Sequence, residues 1–105
     1  MSSLHAGRRS VLQSILNVLD GALYATAHQR LLADTFRDLH DLNQLYHHLQ
    51  VAIDLVRDLL SNHQDIAQTD LFSRLDAIIC CLEDCDTQAL LAQFFIDARW
   101  TYSHS

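Results

Sequence analysis

Proline is absent from this 105-residue chain, and glycine occurs only twice, at Gly7 and Gly21. Sheet proteins use both residues in turns, bulges and edges, so a sheet-rich fold is disfavoured. The scarcity of glycine also removes the phosphate-cradling loops, dinucleotide fingerprints and nucleophile elbows of several enzyme classes. Lysine is missing as well: the seven strong cations are all arginine, and 13 acidic residues leave a formal charge of −6. Binding to nucleic acid rests on neutralising phosphates with a dense cationic face, so nucleic acid is not an expected partner. An anionic membrane surface is disfavoured for the same reason, and no apolar run approaches the roughly twenty residues needed to span a bilayer. With Glu83 as the only glutamate, the Glu-x-x-His pairs of di-iron bundles cannot be built.

What is present favours helix. Half of the residues are hydrophobic and 19% are charged, enough apolar material for a packed core at a length that suits one domain. Leu and Ala, both abundant, are strong helix formers. The expected fold is all-α, an antiparallel bundle of about four helices with one long central helix, formed as a single domain over residues 1–105. Residues 1 to 8 read as a frayed leader. Arg8 and Arg9 ahead of an apolar stretch, with Ala25-Thr26-Ala27 behind it, imitate an export signal, but Gln13, Ser14, Asn17 and Asp20 interrupt the stretch.

Periodicity divides the chain further. Ser10 and Gln13 have the form of a capping box, and Val11, Leu12, Ile15, Val18, Leu19, Ala22 and Leu23 share one face of a helix running to about Ala25. Thr26 to Gln29 repeats the capping pattern and predicts a break there. The second helix, from about Gln29 to Leu60, is expected to be the longest. One apolar row runs through Leu32, Phe36, Leu39, Asn43 and Tyr46. A second runs through Leu42, Leu45, Leu49, Ala52, Val56 and Leu59, widened by Ile53 and Leu60. The polar stretch Ser61 to Thr69 predicts the main link, with a third helix from about Asp70 to Asp84. A fourth, capped by Asp86 or Thr87, carries Leu90, Leu91, Phe94, Phe95 and Ala98.

Three groupings invite a chemical reading. His40, His47 and His48 approach metal-ligand spacing, but Arg37, Asp41, Gln44, Asp54 and Asp58 mark that face as solvent-directed, which predicts solvated histidines. Seven histidines nevertheless leave a small pH- or metal-responsive sensor as an alternative. Cys80, Cys81 and Cys85 are odd in number and crowded, a poor disulfide framework. Cys81 and Cys85 lie four apart, as neighbours on one helix face, and all three read as free thiols, buried or half-buried, in a reducing, cytoplasmic setting. No catalytic residue, metal site or cofactor is expected.

The third grouping is Arg57-Asp58-Leu59-Leu60-Ser61-Asn62-His63. It resembles the Arg-x4-6-His element of the HEPN family of helical RNases, and the resemblance implies a catalytic pair of Arg57 and His63. The apolar surplus points elsewhere. A bundle this small has limited interior, and extra apolar helix surface marks self-association or a partner groove. Leu42, Leu45, Leu49, Ala52, Ile53, Val56, Leu59 and Leu60 are the expected self-association surface of a homodimer. Phe94, Trp100 and Tyr102 are the expected partner-binding residues, Trp and Tyr being enriched at hot spots. The function expected from sequence is a non-enzymatic protein-interaction module, an adaptor, secretion-type chaperone or inhibitor, whose acidity favours a basic partner.

Overall fold

A computed structural model describes residues 2–62, 66–82 and 84–104, the side chains of residues 2–6, 62 and 66–69 excepted. It contains four helices: α1 (Ser2–Leu31), α2 (Phe36–Asn62), α3 (Ile66–Cys81) and α4 (Cys85–Ser103). No strand occurs among the described residues. Helix α1 packs on α2 and α4, and α3 packs on the same two helices, whereas α1 and α3, like α2 and α4, do not approach each other. The long dimension of 52 Å follows from α1, whose 30 residues extend about 45 Å at ~1.5 Å per residue.

The helix boundaries differ from the sequence expectation for identifiable reasons. Helix α1 begins at Ser2, so the helix includes residues 2–8, ahead of the start expected at Ser10. Ser10 lies inside the helix and caps nothing, and Gln13 donates to Asn17 Oδ1 at 3.1 Å. The break predicted at Thr26 does not occur. Thr26 is buried, and its hydroxyl donates to Ala22 O at 2.8 Å, the i−4 bond that a threonine makes inside a helix.

The actual break, over residues 32–35, begins six residues later. Leu32 N donates to Gln29 O at 3.0 Å in the last tight turn of α1. Thr35 then starts α2, its hydroxyl accepting from Asp38 N at 3.0 Å, as an N-cap does. Consequently α1, at 30 residues, is longer than α2 at 27. Helix α3 begins at Ile66, inside the stretch expected to be a link, and ends at Cys81, three residues before the expected end. Asp84, not Asp86 or Thr87, caps α4 by accepting from Thr87 N at 3.1 Å.

One continuous core joins the four helices. Helix α1 supplies Leu12, Ile15 and Leu19; α2 supplies Leu45, Leu49, Ala52, Ile53, Val56 and Leu59; α3 supplies Leu71, Phe72, Leu75 and Ile78; α4 supplies Phe95, Ala98 and Tyr102. Each fully buried leucine or isoleucine stabilises the fold by about 1.5–3 kcal/mol relative to exposure. Aromatic contacts finish one end. The Tyr102 ring stands edge-on to Phe72 at 5.8 Å, and the guanidinium carbon of Arg8 lies 5.0 Å from its centroid. Arg9 Nη1 donates to Leu60 O at 2.7 Å, satisfying a carbonyl in the last turn of α2.

Candidate functional site

The α1–α2 link and the α3–α4 link lie side by side and enclose a groove of about 480 Å³. Leu32, Leu42, Leu45 and Leu82 form its apolar surface, and Asp34, Asp38, Asp41 and Asp84 stand around them. Two of these carboxylates lie at helix starts. Asp38 sits in the first turn of α2 and Asp84 immediately precedes α4, where the helix dipole favours negative charge. The hydroxyl and backbone N–H of Thr87 both donate to Asp84 and hold its carboxyl below the ordinary carboxylate range. Across the α3–α4 link, Gln88 Nε2 donates to Ile79 O at 2.9 Å, fixing the start of α4 against the end of α3.

A smaller, mostly apolar pocket of about 130 Å³ adjoins this groove, sharing Gln29, Leu45, Leu82 and Thr87 with it. All four helices line it. Its walls include Val18, Leu19 and Ala22 of α1, Leu49 of α2, Ile78 of α3, and Leu91 and Phe95 of α4. Around the same end, Leu31, Leu32 and Phe36 are 83%, 66% and 87% exposed. A surplus of apolar surface therefore exists at the α1–α2 link.

The α2 row expected to drive self-association is used within the chain. Leu45, Leu49, Ala52, Ile53, Val56 and Leu59 are buried, and Leu42 and Leu60 are half-buried. Two neighbours, α1 and α3, cover the broad arc that a single neighbour could not. Among the expected partner-binding residues, Tyr102 is in the core and Phe94 is half-buried against Phe95, ring to ring at 5.7 Å. Trp100 alone of the three is exposed, and its indole stacks on His104 at 4.0 Å.

The histidine and cysteine groupings separate. His40 and His47 are exposed, but His48 is half-buried rather than solvated and pairs with Arg74 of α3 at 2.8 Å. Among the described residues no group of three or more His, Cys, Asp or Glu is placed to hold a metal ion. Cys81 closes α3 and Cys85 opens α4, so the two do not share a helix face. All three thiols are free. The expected burial holds only for Cys81, which is half-buried; Cys80, near the end of α3, and Cys85, at the start of α4, are exposed. Burial first, then the charges of Cys80 and Asp41, push the Cys81 thiol up. Arg57 is exposed and lines a shallow groove with Asp20, His47 and Asp54. His63, its partner in the HEPN-like element, lies outside the described residues.

Comparison with protein-family models, with curated proteins and with solved structures finds no match to this chain. No helix among the described residues is long and apolar enough to cross a membrane.

Proposed function

We propose that this protein is a non-enzymatic binding module that takes up a basic segment of another protein in the groove between its two links. The observation that carries this reading is the combination of four leucines and four aspartates in a lining that, among the described residues, holds no cationic side chain. Apolar contacts supply affinity to such a site, and the carboxylates steer and select a cationic partner. An adaptor, a secretion-type chaperone and an inhibitor all need a surface of this kind. The formal charge of −6 extends the same preference over the whole molecule. A cytoplasmic setting is part of the proposal, supported by the three free thiols.

The fold that frames the site is, on this reading, an antiparallel bundle with α2 as its spine. Two observations support the direction of the helices. Both links border one groove, and Arg9, early in α1, bonds Leu60, late in α2. The central role of α2 is supported by its six buried core residues, more than any other helix contributes among the described residues.

The experiment is a calorimetric titration with an arginine- and leucine-rich peptide, and with an analogue carrying glutamate in place of arginine. The basic peptide should bind and lose affinity as salt is raised, because screening weakens exposed charge pairs. Replacing Asp34 and Asp41 by asparagine should weaken it further. Equal binding of the two peptides, or binding of neither, would overturn the proposal.

A further inference from the structure

The inner cavity has a size that can be matched to an occupant. Dry apolar cavities of about 150 Å³ admit a benzene ring, and this one measures about 130 Å³. Its one buried hydroxyl, that of Thr26, is already bonded to Ala22 O. The wall thus offers shape and apolar contact, and the charge lies outside, at the groove that forms its mouth. We infer that the cavity is an anchor pocket for one apolar side chain, of leucine or phenylalanine size, projecting from a cationic segment that lies along the aspartates of the groove. The inference rests on the binding-module reading and specifies the partner's chemistry: a basic peptide segment with a single large apolar residue between its cations.

Charge complementarity decides between this occupant and a second copy of the chain. A second copy would bring a net charge of −6 against four groove carboxylates. Its cations are also largely committed. Arg8, Arg30 and Arg99 lie over the rings of Tyr102, Tyr46 and Phe72, Arg9 bonds Leu60, and Arg74 bonds His48. A segment of a basic protein meets neither obstacle.

The test uses three arginine-rich peptides that differ at one central residue, Leu, Phe or Ala, titrated into the full chain and into the Ala25→Phe variant. Ala25 is exposed and lines the pocket but not the groove, so a phenylalanine there obstructs the pocket from its exposed rim without crowding the core, and circular dichroism checks that the helices persist. The Leu and Phe peptides should bind more than about tenfold tighter than the Ala peptide. Ala25→Phe should erase that difference while leaving the weaker Ala-peptide binding in place, because the groove carboxylates are untouched.

Equal affinity of all three peptides, or an equal effect of Ala25→Phe on all of them, overturns the anchor pocket and leaves the groove reading standing. Binding of none overturns both. Sedimentation of the protein at twice its 12.0 kDa mass, reversed by Phe36→Ser, assigns this end of the molecule to a second copy and also overturns the inference.

Discussion

Arg74 of α3 donates from Nη1 to Nδ1 of His48 on α2 across 2.8 Å. A guanidinium has no acceptor, so the histidine nitrogen must accept and the imidazole is held neutral with its proton on Nε2. Burial first, then the charges of Arg74 and the neighbouring His47, hold its pKa below the ordinary value of 6.5. The α2–α3 contact therefore carries a proton-sensitive element.

Stability should fall as the pH drops below 6.5. In that range the unfolded chain protonates His48 while the folded chain resists, so the unfolded state binds more protons and gains on acidification. The contribution is fully present above 6.5 and is lost as the pH falls through the folded value. Thermal melts at about pH 7.5 and 5.5 should show a Tm drop that is smaller in His48→Gln than in the parent protein.

Gly21→Ala should raise stability by about 0.5–1 kcal/mol. Gly21 lies within α1 on its exposed side, and an added Cβ would meet nothing within 4 Å. The gain comes from restricting the unfolded chain. Urea denaturation should show a higher midpoint with an unchanged slope.

The distinction between core and surface leucines can be measured directly. Leu49→Ala, at a side chain 1% exposed, should cost about 2–5 kcal/mol. Leu31→Ala, at 83% exposure, should change stability by less than about 0.5 kcal/mol. Val56→Asp should abolish cooperative unfolding, because it places an unpaired charge in the four-helix core. Retention of a folded monomer by Val56→Asp would contradict the burial described for α2.

Purified protein should not cleave RNA above background, and Arg57→Ala should leave that background unchanged. Arg57 lies among Asp20, His47 and Asp54 on an exposed face, where two carboxylates repel phosphate. Cleavage removed by either Arg57→Ala or His63→Ala would replace the binding-module reading with an RNase.

The helical class was legible from sequence because missing proline and glycine and a 3.6-residue apolar period all point the same way. The first two boundaries were not, because serine and threonine caps have the same appearance as serine and threonine inside a helix. Thr26-x-x-Gln29 and Thr35-x-x-Asp38 both fit the capping pattern, and only the second is a cap. The acidic side of the groove was not read from the sequence: Asp38 and Asp41 share the start of α2, but Asp34 joins them only because the α1–α2 link falls at residues 32–35 and not at Thr26. Leu82 and Asp84 belong to a distant segment, and folding alone brings them beside the first three. The α2 row was correctly seen as unusually apolar, but periodicity measures how wide a stripe is and not how many neighbours cover it.

The contact of Arg8 with Tyr102 bears on the entropy cost of closing the chain. Every other helix pair in the ring of contacts joins consecutive helices, whereas α1 and α4 are separated by the whole of α2 and α3. Closing a loop costs more entropy the longer it is, by about 0.6 kcal/mol per doubling, so the α1–α4 seam is the contact whose closure costs the chain most entropy. Six of the cavity's lining residues come from α1 and three from α4. The seam that is entropically hardest to close is thus also the one that supplies most of the pocket's wall, so a substitution that weakens it would loosen the pocket before it unfolds the chain.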